Sequence, residues 1–117
     1  MSGASVSVVI PAYNHEAYVA EAVRSALASP LVREVLVCDD ASTDGTWGVL
    51  QGLSDPRLHL ARNPVNRGAD ATLGALLDEA QGPYLAILNS DDRFLPGRLE
   101  RCLDRLQSGQ ADLVGTD

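Results

Sequence analysis

Lysine is absent from this chain, and its 9 basic residues are arginines scattered singly along it. Against 16 acidic residues they leave a formal net charge of −7. A nucleic-acid binder needs a clustered positive footprint, so no nucleic-acid partner is expected. No apolar run approaches the roughly 18–20 residues of a membrane span. Met1 to Ser7 shows no cationic region followed by a hydrophobic one, so no signal peptide is read. There are only 2 cysteines, Cys38 and Cys102, and their spacing suits neither a metal cage nor a redox pair. One lies in an apolar strand pattern and the other in a helical one, and both read as buried free thiols. These absences point to the cytoplasm, either free or peripheral at the inner face of the membrane. What remains is an acidic chain suited to recruiting a cation before it accepts an anionic ligand.

The 117 residues allow one small domain, and the 45% that are hydrophobic fall in short, regularly spaced segments. Val6 to Ile10 reads as a first strand stopped by Pro11, which cannot continue a ladder. Asn14 is placed to cap a helix that starts near Glu16. Val19, Ala22, Val23, Ala26 and Leu27 form its apolar stripe at spacings of three and four, and Ser29-Pro30 closes it. Glu34 to Cys38 is a second strand running straight into Asp39-Asp40-Ala41-Ser42-Thr43-Asp44-Gly45, with a short helix over Thr46 to Leu53. Leu58 to Arg62 is a third strand, followed by the loop Asn63 to Gly68. Ala69 to Gln81 is helical, with Leu73, Leu76, Leu77 and Ala80 inward and Gly82 at the position of a C-terminal cap.

Tyr84 to Leu88 is apolar without a break, as expected of a strand buried on both faces of a parallel sheet. It ends abruptly in Asn89-Ser90-Asp91-Asp92. Pro96 opens a helix to about Gln107 that buries Leu99, Cys102, Leu103 and Leu106. Ala111 to Val114 is a fifth strand. The alternation β-α-β-α-β-α-β-α-β predicts an α/β fold, a mostly parallel doubly wound sheet with helices on both faces. The last strand has no following helix, so the chain reads as the truncated first part of something larger. The uncovered edge also allows a homodimer.

Three polar clusters sit at strand ends: Pro11 to Asn14, Asp39-Asp40 and Asp91-Asp92. In open α/β sheets ligands bind beyond the carboxyl ends of the strands. Adjacent acids there can hold a hard divalent cation, and that cation can neutralise a diphosphate. A phosphorylation-switched receiver module shares this topology. It needs its acid pair after the first strand and a later lysine, and this chain has Pro11-Ala12 and no lysine.

The blocks Val6 to Asn14 with Glu16, Val35 to Thr46, Asn66-Arg67-Gly68 and Gly82-Pro83-Tyr84 leading to Asn89-Ser90-Asp91-Asp92 resemble the family-2 glycosyltransferases. These are inverting enzymes of the GT-A fold that use nucleotide-diphosphate sugars. The resemblance implies that residues 1–117 are a single nucleotide-diphosphate-sugar-binding domain, the N-terminal part of a catalytic domain. It implies a UDP-linked donor, a divalent metal (Mn2+ or Mg2+) and a saccharide or lipid-linked acceptor, as in cell-surface polysaccharide synthesis. Pro11, Ala12 and Tyr13 match the loop packed against the nucleoside. Glu16 matches an acid turned toward the ribose, or serves as a first-turn glutamate. Asp39 and Asp40 match the acidic pair near the base, with Asp40 favoured for the imide N–H of uracil and Asp39 in support. Arg67 matches a loop near the diphosphate, where it would offer charge-assisted bonds, or is a solvated arginine.

Asp91 matches the direct ligand of the family's D-x-D metal motif, with Asp92 second or acting through water. The chain departs from the pattern at Asn89, where the motif has its first acid, and at Leu73-Gly74, where many members carry Arg-Asn. No residue can be assigned as the general base that an inverting transfer requires. His15 and His59 read as structural or solvated. A non-catalytic nucleotide-binding or dimerising module of the same fold is the alternative.

Overall fold

The computed structural model describes residues 5–95, 97–101 and the backbone of 113–115. Strands β1 (Val6–Ala12), β2 (Val32–Asp39), β3 (Leu58–Arg62), β4 (Tyr84–Ile87) and β5 (Leu113–Gly115) alternate with helices α1 (Val19–Leu27), α2 (Thr46–Gln51) and α3 (Ala69–Glu79). They form one 5-stranded sheet in the order β3-β2-β1-β4-β5, and every pairing is parallel. The chain winds outward from β1 to β3, then crosses back to lay β4 on the other side of β1. The switch point between β1 and β4 is therefore where a crevice opens. Cys102, Leu103 and Leu106 of the expected fourth helix lie outside the described residues. Its described part is helical at 98–101, with Leu99 buried.

The strand period of two divides the core between the faces. Val6, Val8, Ile10 and Ala12 of β1, with Val35 and Val37 of β2, face α1 and pack on Val19, Ala22, Val23 and Ala26. Val9, Leu36 and Cys38 face the other way onto Leu76 of α3, with Leu73, Leu77 and Ala80 half-buried beside it. Burial pushes the Cys38 thiol up, and the nearby Asp40 and Asp39 add to the effect. Beyond α1, Arg57 gathers the carbonyls of Leu27 at 2.6 Å, Ser29 at 3.2 Å and Val32 at 3.3 Å. The first of these is a carbonyl that the end of α1 leaves without an intrahelical partner.

Several local expectations need correction. Pro11 does not stop β1, which runs on to Ala12 with Pro11 opposite Cys38. The Leu88 N–H donates to the Val9 carbonyl at 3.1 Å, whereas the Asp40 N–H donates to the Ala12 carbonyl at 2.8 Å. Alternation then turns the donor-less nitrogen of Pro11 toward the β4 side, past the last β1–β4 pair at Val9 and Ile87. No ladder bond is lost.

Gly82 is not a left-handed cap. α3 ends at Glu79, and Ala80 is extended at φ −66 and ψ 134. Gly82 is needed for close approach, because a Cβ there would meet Ser7 Oγ at 2.6 Å and the Ser5 carbonyl at 2.9 Å. Its N–H donates to Ser7 Oγ at 2.8 Å, and Ser7 Oγ donates to Glu34 Oε2 at 2.6 Å. The Gln81 N–H joins the same carboxylate oxygen at 2.7 Å. β4 is less enclosed than its unbroken apolar run suggests: Ala86 is buried, while Tyr84, Leu85 and Ile87 are half-buried.

Candidate functional site

At the carboxyl ends of β1, β2 and β4 lies a cavity of about 520 Å3. Pro11, Ala12 and Tyr13 line one wall, and Tyr13 is 43% exposed at its mouth. Asn66 and Gly68 of the loop before α3, with Ala69 and Thr72 of its first turn, form the second wall, with Asp40 between them and β1. Asn89, Ser90 and Asp91 close the third side, together with His15. Pro11, Ala12, Tyr13, Asp40 and Asp91, all singled out from sequence, thus meet in one crevice.

Asp40 does more than face the cavity. Its Oδ1 accepts the Arg67 N–H at 2.8 Å and the Asn63 amide at 2.9 Å, and its Oδ2 accepts the Gly68 N–H at 2.9 Å. These donors, with the Thr72 hydroxyl, use the roughly four acceptor sites of a carboxylate. Burial alone would raise its pKa, but the Arg67 N–H, the Asn63 amide and the Gly68 N–H outweigh it and hold the acid below its usual range. Gly68 turns to φ 94 to present that N–H, a backbone state suited to glycine. Asp40 is therefore the clasp that fixes the loop of residues 66–68 onto the end of β2.

Asp39 is fully buried and does not line the cavity. Its Oδ1 accepts the Ser42 hydroxyl, and its Oδ2 faces Arg62 Nε at 3.3 Å. Arg62 in turn lies over the Trp47 ring, 5.6 Å from its centroid. Glu16 is exposed and sits against Gly45, with its backbone N–H on Asp44 Oδ2 at 3.3 Å. The Arg67 side chain is exposed, and the residue meets the site through its backbone. Asp92 lies beside the cavity rather than in its lining, and its Oδ1 accepts the Arg93 N–H at 2.8 Å.

Asn14 does not cap α1, which begins after Tyr18 with no side-chain cap. It takes φ 52, a left-handed state that asparagine tolerates, and works across the site. Its Oδ1 accepts the N–H groups of Thr43 at 2.8 Å and Asp44 at 3.4 Å, and its own N–H donates to Ser42 Oγ at 2.9 Å. The loops after β1 and β2 are thereby stitched together.

His15, read from the sequence as structural or solvated, lines the cavity. Its Nδ1 lies 2.6 Å from Ser90 Oγ, and its Nε2 lies 3.9 Å from Asp91 Oδ2. The available signal was its place one residue after Pro11-Ala12-Tyr13-Asn14, inside the loop that forms the wall.

A doubly wound α/β domain with one polar and one apolar wall at its switch point is the class this geometry defines. The chain belongs to glycosyl transferase family 2, whose profile matches residues 7–117. It is 37% identical over 110 residues to the succinoglycan biosynthesis protein ExoO of Rhizobium meliloti, covering 93% of this chain and 32% of that protein. It resembles the structure of S. aureus TarS 1–349 in complex with UDP-GlcNAc at a TM-score of 0.78 and 26% identity, over 89% of this chain and 31% of that one. It also resembles the mannosyltransferase PcManGT from Pyrobaculum calidifontis in complex with GDP-Man and Mn2+, with a TM-score of 0.71 and 28% identity over 84% and 30%. The chain spans about a third of the length of each of these proteins. No helix among the described residues is long and apolar enough to cross a membrane.

Proposed function

We propose that this chain is the donor-binding part of a glycosyltransferase that takes a UDP-linked sugar with a divalent cation and serves polysaccharide synthesis. The observation that carries the reading is the crevice itself, which joins the apolar wall of Pro11, Ala12 and Tyr13 to the carboxylate of Asp91. The wall suits the flat faces of a base and ribose, and the acidic side suits the diphosphate once a cation is present. Asp40 holds the wall between them in place. The names of the relatives fit this reading, since one is a polysaccharide biosynthesis protein and two were captured with nucleotide sugars.

The residues present fit such a cation. Among the described residues no group of three or more His, Cys, Asp or Glu comes together to form a closed cage. It offers Asp91 in the lining and Asp92 next to it, with one Asp92 oxygen engaged by the Arg93 N–H. Mg2+ is commonly held by one or two carboxylates plus substrate phosphates and water, and this donor set matches that pattern. Bound there, the cation would act as a Lewis acid on the leaving diphosphate. Asp91 is the direct ligand in this reading, and Asp92 supports it.

Calorimetric titration of UDP into the chain with Mn2+, and again with EDTA, tests the reading. Binding should require the metal, and Asp91→Asn should remove it while leaving the thermal unfolding midpoint near that of the parent. Metal-independent binding, or binding that survives Asp91→Asn, would sink the assignment.

A further inference from the structure

We propose that His15 is a positioning residue for Asp91, holding that carboxylate at the diphosphate end of the crevice through a proton on Nε2. This rests on the reading of the crevice as a metal-assisted diphosphate site. His15 is pinned before its ring is placed. Its N–H donates to Oγ1 of the buried Thr46 at 3.0 Å, and its carbonyl accepts the N–H groups of Tyr18 at 3.0 Å and Val19 at 2.9 Å. The Tyr18 ring meets the imidazole edge-on, with centroids 6.3 Å apart. The ring is then carried across the switch point, from the loop after β1 to the loop after β4.

The hydrogen bonding assigns the tautomer. Ser90 is 2% exposed, and His15 Nδ1 is the partner of its hydroxyl among the described residues. A buried hydroxyl that only accepted would leave its own proton unpaired, which costs more than donating it. Ser90 therefore donates to Nδ1, and the proton of the neutral ring sits on Nε2. That nitrogen is 3.9 Å from Asp91 Oδ2, and the side chains of His15 and Asp91 are 36% and 53% exposed. A shift of about 1 Å by the half-exposed Asp91 makes this a hydrogen bond. In this arrangement His15 turns a donor toward the carboxylate, so it orients the ligand and does not bind the cation itself. Ser90, the residue between Asn89 and Asp91, acts through the ring. Groups that orient a metal-binding side chain affect metal affinity without touching the ion.

The test is a Mn2+ titration at fixed UDP on the 117-residue chain, followed by calorimetry, with a thermal unfolding curve for each variant. His15→Ala should raise the half-saturating Mn2+ concentration about tenfold. His15→Gln, whose amide can donate from near the Nε2 position, should recover part of that loss. Ser90→Ala should shift the Mn2+ midpoint in the same direction, and the double variant should be no worse than His15→Ala alone. Ser90→Ala also keeps the test alive if His15→Ala does not fold. An unmoved Mn2+ midpoint in these variants, with or without a lower unfolding midpoint, would reduce His15 to a structural link and overturn the proposal. Absence of Mn2+-UDP binding by the parent chain would overturn the reading of the crevice, and this proposal with it.

Discussion

The guanidinium of Arg62, on an edge strand and half-exposed, stands 3.3 Å from the fully buried carboxylate of Asp39. Among the described residues Asp39 Oδ2 has no hydrogen bond, so this contact is what balances it. Truncating Arg62 would leave a buried charged acceptor uncompensated, tempered by the solvent that already reaches the arginine. Arg62→Ala should cost about 1–2 kcal/mol in urea unfolding. Arg62→Met keeps the stem near Trp47 without the charge, and should recover little of the loss. Full recovery by Met would mean that packing on Trp47, not the pairing with Asp39, is what matters.

Asp40→Asn replaces one oxygen of the clasp with an amide that donates where Arg67, Gly68 and Asn63 also donate. At least one of those donors must then go unpaired. The expected outcome is a loss of about 1–3 kcal/mol in stability. Faster amide exchange should follow at Arg67 and Gly68, measured by hydrogen–deuterium exchange. Exchange at those two amides equal to that of the parent would contradict the clasp.

Stability should fall in acid for a stated reason. Burial works to raise the pKa of both Glu34 and Asp40, yet both end below their ordinary values. For Glu34 the Ser7 hydroxyl and the Gln81 N–H outweigh burial, with His59 and Arg33 adding to them. A depressed folded-state pKa gives stability that is complete above the unfolded value and disappears as pH falls through the folded one. The unfolding midpoint should therefore be flat from about pH 7 to 5 and drop below about pH 4. Glu34→Gln should make that acid limb shallower. A midpoint that rises on acidification would refute the account.

Ala41, directly after Asp40, has φ 60. An alanine in this left-handed region costs about 1 kcal/mol or more, which glycine would not incur. Ala41→Gly should accordingly raise the unfolding free energy by about 1 kcal/mol, less the extra entropy of the unfolded glycine. A destabilised variant would show that the Ala41 methyl makes contacts worth more than the strain.

Elements announced by periodicity were legible in the sequence. The stripe Val19, Ala22, Val23, Ala26 and the apolar runs of β1, β2 and β4 all fall where the pattern put them. Roles that depend on two distant segments meeting were not. Gly82 looks like a cap when only its own helix is considered, and its real constraint comes from Ser7, 75 residues earlier. Asn14 looks like the start of α1 until the loop at Thr43 and Asp44 is brought beside it. The acidic pair shows the same limit. Residue type located Asp39 and Asp40 at the site, but only the fold separates them, one buried against Arg62 and one holding the wall.

Pro11 has a consequence for the crevice as a whole. Its nitrogen carries no hydrogen, so at this position β1 offers no donor to the chain beyond Ile87, and the two strands part after the bond between Leu88 and Val9. The missing donor at the mouth is a covalent property of the backbone, which neither salt nor acid can alter. Replacing that residue with any other amino acid would restore a donor at the threshold and give the two segments a reason to close.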